Sequence, residues 1–234
     1  QQKWYAGETI SLGIGQGYNN FTMLQLASAT ATLVSGGQRY KPRLVREIED
    51  VTSGERRVMA NDSLPPLPLK SEHVELITRA LYGVTQEGTS VRSFTGAPYK
   101  SGGKTGTAQA VGIRQNEKYN AAKLEEHKRD HSLYMAFAPV EAPTIALAIV
   151  VENAGFGSEA AAPITRRVFD YVLAGVLPSP EDVALTREGK SGAPIGKPRP
   201  AGEVPLPGAA AAAPMAATSA RQVAQGAGAA EVAR

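Results

Sequence analysis

A lysine, two threonines and a bare glycine stand together in Lys104-Thr105-Gly106-Thr107, within the longer stretch Lys100 to Gln109. These residue types in this order suit a ligand that has a terminal carboxylate and a peptide backbone. Lys104 supplies a fixed positive charge, and Thr105 and Thr107 supply hydroxyl donors. An extended segment adds a row of backbone groups with which a peptide can pair. Gly106 leaves that backbone open to close approach, because a Cβ there would collide with a bound peptide. The N–H of Thr107, one residue on, can then donate to an oxyanion at an attacked carbonyl. Lys104, Thr105, Gly106 and Thr107 are therefore the candidate catalytic residues, with Lys104, Thr105 and Thr107 as the candidate substrate-binding ones.

Two other readings of these residues fail. Gly103-Lys104-Thr105 resembles the end of a phosphate-binding loop, which requires Gly-x-x-x-x-Gly-Lys-[Ser/Thr]. The first glycine of that pattern would fall on Pro98, and Gly96 lies two places too early. Ser101 to Lys104 spells Ser-x-x-Lys, but that motif needs serine and lysine one helical turn apart. Gly102 and Gly103 between them are poor helix formers.

The surroundings add a further layer. Gly13-Ile14-Gly15-Gln16-Gly17-Tyr18 lies upstream, and Arg129-Asp130-His131 leads into Tyr134-Met135-Ala136-Phe137-Ala138-Pro139. Ala146 to Asn153 follows, then Gly155, Gly157 and a last helix. Taken with the Lys-Thr-Gly set, this order resembles the C-terminal half of the transpeptidase domain of the penicillin-binding protein 2 family, from about Trp4 to Leu177. The resemblance implies an α/β (α+β) fold of the penicillin-binding and serine β-lactamase-like kind, an antiparallel sheet flanked by helices. It also implies that the Ser-x-x-Lys and Ser-x-Asn motifs, and two further strands, would lie before Gln1. Tyr18-Asn19-Asn20 fits a Tyr-x-Asn variant only formally, since no Ser-x-x-Lys precedes it.

The resemblance further implies a peptidoglycan D,D-transpeptidase of cell elongation, working through an acyl-serine. A serine before Gln1 would attack the penultimate D-alanine carbonyl of a stem peptide, with a lysine one turn on taking its proton. Lys104 would set the positive potential, Thr105 and Thr107 would hold the donor carboxylate, and the Thr107 amide would stabilise the oxyanion. Stem peptides, β-lactams and elongation-complex membrane proteins are the implied partners, and no metal or organic cofactor is required. An inner-membrane anchor with a periplasmic catalytic domain is implied as well. The alternative is a truncated, non-catalytic envelope-binding module.

Composition sets limits. Cysteine is absent, so disulfides play no part. A formal charge of +3 is mild, and no basic stripe with interleaved aromatics appears, so nucleic acid is not an expected partner. No apolar stretch is long enough to span a bilayer.

The elements that must position the motif can be read along the chain. Thr22 and Gln25 form a capping box for a helix that Gly36-Gly37 ends. Lys41 to Ile48 reads as a strand, Ser53-Gly54-Glu55 as a turn, and Leu64-Pro65-Pro66-Leu67-Pro68 as an extended linker. Ser71 is expected to cap a second helix with Val74, Ile77, Ala80, Leu81 and Val84 on its apolar face. Leu133–Ala138 and Thr144–Glu152 read as a hairpin covered on both faces. A final helix has Pro163 in its first turn, an apolar face from Ile164, Val168, Tyr171 and Val172, and Gly175 as its stop.

The segment between Gln109 and Ser132 is charged. His127 and His131, with Asp130 between them, would form a metal face only on a helix, and a solvated loop is expected instead. From Pro178 the chain turns rich in Pro, Ala and Gly, so 178–234 is expected to be a disordered tail beside a folded 1–177 region. A sheet made of these residues alone would expose an apolar edge.

Overall fold

The computed structural model describes residues 3–112, 119–190 and 192–203. Helix α1 (Ala6–Gly13) leads through the Gly-rich turn to α2 (Met23–Val34). Thr22 Oγ1 accepts from the Gln25 N–H at 3.2 Å, and the Gln25 carboxamide accepts from the Thr22 N–H at 2.8 Å. That is the expected box, and Gly36 and Gly37, both at positive φ, end the helix. Helix α1 was not anticipated. Its Glu8 carboxylate accepts from the Tyr18 hydroxyl at 2.6 Å, a bond that holds the carboxyl below its usual range.

Short strands β1 (Arg39–Tyr40), β2 (Glu47–Glu49), β3 (Arg56–Val58) and β4 (Ser63–Leu64) come next. They pair antiparallel as β1 with β4 and β2 with β3. The strand expected over Lys41–Ile48 is therefore wrong for most of its length. Pro42 has no N–H to give a ladder, and Leu44 stands fully exposed with nothing to pack against.

Helix α3 (Ser71–Gln86) begins with Lys70 in the cap position, and Ser71 makes no cap bond. Its buried residues are Leu81 and Thr85, while Ile77 and Ala80 are exposed, which turns the expected face partly outward. Thr85 is buried because its hydroxyl donates to the Ser101 carbonyl at 2.7 Å. One turn, α4 (Val91–Phe94), then leads to strand β5 (Gly102–Ala108). Gly102, Gly103 and Lys104 of the Ser-x-x-Lys string thus lie in a strand, and none of its four residues is helical.

Strands β6 (His131–Ala138) and β7 (Ile145–Val151) make the expected hairpin, and the sheet order is β5-β6-β7, all antiparallel. Helices cover both faces of β6. On one side Tyr134, Ala136 and Ala138 meet Phe94 and α5 (Ala161–Ala174), through Ala161, Ala162 and Phe169. On the other, Met135 accepts from the Thr30 hydroxyl of α2, and Gly102 sits under Phe137 and Leu81 of α3. β6 fits the reading of a doubly covered strand. β7 lies at the edge of the described sheet and is only partly buried.

Helix α5 ends at Gly175 in the left-handed conformation, as expected. Its face is corrected. Ile164, Val168, Tyr171 and Val172 are 36–52% exposed, and the buried side carries Thr165, Arg166, Phe169 and Asp170. Arg166 Nε donates to both Asp170 oxygens at 2.9 and 3.0 Å, and its terminal nitrogen donates to the Ser93 and Thr95 carbonyls. A paired, fully engaged guanidinium can be buried where a lone charge cannot. Tyr99 adds a 2.8 Å bond to Asp170.

Residues 178–203 also depart from the tail expected there. Strands β8 (Val176–Leu177) and β9 (Arg199–Pro200) pair around α6 (Pro180–Arg187), whose N-cap Ser179 accepts from Asp182 N–H at 3.0 Å. Arg167 on α5 binds the buried Asp182 carboxylate through two nitrogens, at 2.5 and 3.0 Å. Residues 204–234 lie outside the described residues.

Candidate functional site

Among the described residues strand β5 forms one edge of the sheet, pairing on one side with β6. Side chains alternate along it, so Thr105 and Thr107 share one face and Lys104 takes the other. The candidate residues are therefore brought onto one strand but split between its faces. Lys104 compensates by folding over the edge, where its exposed ammonium donates to the Thr105 carbonyl at 2.8 Å. The Thr107 carbonyl accepts from the Gln16 carboxamide at 2.7 Å. Neither donor belongs to β6, so both carbonyls face away from the sheet. In an antiparallel strand a residue's N–H points the same way as its C=O. The Thr107 N–H thus faces the open edge, the side from which a ligand would approach.

The edge is fixed from within. A Cβ on Gly103 would run into the Tyr134 hydroxyl and the Met135 carbonyl, and one on Gly106 would lie 3.3 Å from Leu133 Cβ. Gly106 therefore serves the cross-strand packing as well as open approach. Gly157 presses against the Gly106 backbone and the Leu133 carbonyl, where no side chain fits. Ser132, opposite Thr107, donates to the Phe156 carbonyl at 2.9 Å and accepts from the Ala161 N–H at 3.1 Å. These contacts hook the turn before α5 and its N-terminus onto β6. Burial pushes the Tyr134 phenol, opposite Thr105, up to about 12.

Two residues that sequence reasoning had not singled out as site residues touch the candidates. The Thr89 hydroxyl lies 3.0 Å from the Thr105 hydroxyl, so the loop before α4 orients a candidate donor. Gln16 reaches the strand across 91 positions of sequence. Its signal in the sequence was the pair of glycines around it, both at positive φ, at 81° for Gly15 and 65° for Gly17. Beside the edge lies a cavity of about 240 Å³, whose lining includes Gln16, Met23, Lys104, Thr107 and Leu133.

The histidines separate from one another. His127 lies in a short turn at Glu126–Lys128, and His131 opens β6, where its Nδ1 accepts from the Asn153 N–H at 3.0 Å. Asp130 between them is buried, not solvated. Among the described residues no three His, Cys, Asp or Glu side chains gather as a metal site. Arg114, Glu117 and Lys118 of the charged connection lie outside the described residues. Asn19, the middle residue of the formal Tyr-x-Asn match, is spent on the Gly-rich turn, donating to the Leu12 and Gln16 carbonyls at 3.0 and 3.1 Å. Among the described residues no helix is long and apolar enough to cross a membrane.

Comparison with known proteins places this edge in context. Residues 1–170 match the penicillin binding protein transpeptidase domain. The peptidoglycan D,D-transpeptidase MrdA of Haemophilus influenzae is 40% identical over 185 residues, 77% of this chain and 28% of that protein. A crystal structure of Pseudomonas aeruginosa PBP2 in complex with WCK 5153 superposes with a TM-score of 0.58 at 35% identity, covering 74% of this chain and 35% of that one. A peptidoglycan synthase complex that coordinates polymerization and crosslinking contains a chain with a TM-score of 0.53 at 30% identity, covering 71% of this chain and 26% of its own. The chain spans less than a third of the length of the MrdA relative.

Proposed function

The chain belongs to the penicillin-binding protein transpeptidase family, and on that premise we propose that it forms one wall of the active site of a peptidoglycan D,D-transpeptidase of cell elongation. The observation that carries the proposal is the open β5 edge, with the outward groups of Thr105 and Thr107 beside the Lys104 ammonium. A donor stem peptide lies along this edge as an added strand. Its terminal carboxylate is held by the Thr105 and Thr107 hydroxyls, with Thr89 orienting the first. Lys104 supplies positive potential at the carboxylate end, which favours anionic donors over amidated ones.

The Thr107 N–H donates to the oxygen of the attacked carbonyl as it becomes an oxyanion, aided by a second amide at the nucleophile. The serine nucleophile and its lysine base belong to a Ser-x-x-Lys motif outside these residues. The serine oxygen bonds to the penultimate D-alanine carbonyl carbon, and the terminal D-alanine leaves with the proton. An amine of a second stem then takes the acyl group and restores the serine. β-Lactams acylate the same serine. The parent protein is anchored in the inner membrane with this domain in the periplasm, and works beside membrane proteins of the elongation complex.

The test is a turnover assay on the full-length gene product with a pentapeptide-bearing glycan substrate. Release of D-alanine together with cross-linked product, both stopped by penicillin, is the expected result. Folded protein that neither releases D-alanine nor cross-links supports the non-catalytic envelope-binding module instead.

A further inference from the structure

Gln16 stands where a ligand should be. Its Nε2 donates to the outward Thr107 carbonyl at 2.7 Å, the acceptor that a strand added to this edge would use. The loop presenting it is rigidly built. Gly15 and Gly17 take positive φ on either side, the Gln16 N–H donates to the Ser11 carbonyl at 2.8 Å, and the Asn19 carboxamide donates to the Gln16 carbonyl at 3.1 Å. The backbone of Gln16 is thus fixed while its side chain keeps three rotatable bonds. That side chain is half-buried and borders the cavity of about 240 Å³ beside the strand, which leaves it room to swing aside.

We propose that Gln16 is a specificity-determining residue: its carboxamide occupies the Thr107 carbonyl in place of the donor's amide N–H, so a ligand that brings an N–H must displace it whereas one without an N–H can leave it in place. The inference rests on the transpeptidase reading and adds a selection rule to it. Thr107 is half-buried beside the cavity, so a ligand that covers its carbonyl without replacing the hydrogen bond leaves an unsatisfied acceptor, which is costly. Gln16 keeps Thr107 satisfied in the empty enzyme. A stem peptide replaces that bond with the N–H of its penultimate residue. A ligand without such an N–H must either leave Gln16 in place and fit around it or expose the carbonyl.

The test uses the full-length gene product and two β-lactams. One is a fluorescent penicillin whose acylamino side chain carries an N–H next to the ring. The other is a carbapenem, which bears a hydroxyethyl group there. Second-order acylation rate constants are measured for the wild type, Gln16→Ala and Gln16→Met, the last retaining length and packing without a donor. The expected result is that in both variants the penicillin-to-carbapenem ratio rises about fivefold, the factor that one neutral hydrogen bond is worth. An unchanged ratio, whether both rates fall together or neither moves, assigns Gln16 to loop structure only and overturns the proposal. A ratio that falls overturns it as well, since Gln16 would then be assisting the amide. Wild-type protein acylated by neither compound would remove the transpeptidase reading itself, an outcome distinct from an unresponsive ratio in protein that both compounds acylate.

Discussion

The two edges of the central sheet are made of opposite materials. Strand β5 reads Gly-Gly-Lys-Thr-Gly-Thr-Ala and β7 reads Ile-Ala-Leu-Ala-Ile-Val-Val, yet both flank the same buried β6. An unpaired strand edge attracts other strands whatever its sequence. On β5 that attraction is shaped for use. Glycines keep side chains out of the way, a lysine and threonines stand at the rim, and Gln16 occupies one outward carbonyl. On β7 the aliphatic side chains are only partly covered, with Val150 39% exposed. The aliphatic β7 edge suits packing against further protein, and the polar β5 edge suits a ligand. Composition separates an edge that is finished from one that awaits further chain.

The sharpest way to break this contrast is at Thr107. A Thr107→Pro substitution removes the outward N–H while sparing the ladder to β6, as proline is tolerated on an edge facing away from its neighbour. Loss of one oxyanion donor costs on the order of 10²–10³ in rate. Penicillin acylation of the full-length protein should slow by that factor with little change in melting temperature. Equal activity would mean that the outward amide is idle.

A second test concerns what lies beneath the edge. An exposed tyrosine ionises near 10, whereas folded Tyr134, opposite Thr105, holds its proton to about 12. Stability is therefore full below pH 10 and is lost as pH rises from 10 towards 12, by roughly 2–3 kcal/mol. Denaturant melts across that range should show the fall, and Tyr134→Phe should make it shallower, the rest belonging to buried Tyr99, whose phenol is also pushed up by burial.

Gly157→Ala sets a side chain against the Gly106 backbone and the Leu133 carbonyl. Overpacking of this kind costs about 1–3 kcal/mol, and the same melts would register it. The smallest effect is expected at β7. Val150→Lys in the isolated chain should reduce self-association, seen as a shift to smaller species in sedimentation. A wild-type chain that stays monomeric and melts cooperatively by itself would contradict the picture of an unfinished edge.

The hairpin and α2 were legible in the sequence for the same reason: each is decided by local signals. Near-continuous apolar runs joined by a Pro-containing turn define β6 and β7, and Thr22 with Gln25 announces α2. The faces of the other helices were not legible, because they depend on partners distant in sequence. Ile164, Val168, Tyr171 and Val172 form the more apolar stripe of α5, yet the opposite side is buried. There Arg166 and Asp170 neutralise each other and satisfy the carbonyls around α4, which no count of hydrophobicity registers. The ordering of residues 178–203 was hidden likewise, since it hangs on the Arg167–Asp182 pair. At the site itself, Lys104 to Thr107 stood out by residue type. Gln16 and Thr89 did not, since their importance lies in what they touch.

The most direct measurement is mass spectrometry of the full-length gene product after brief exposure to penicillin, compared with the Thr107→Pro variant. The account predicts one penicilloyl adduct on the serine of a Ser-x-x-Lys motif in the wild type, forming at least a hundredfold more slowly in the variant. Folded wild-type protein that gains no adduct, or a variant that gains it at the wild-type rate, would contradict it.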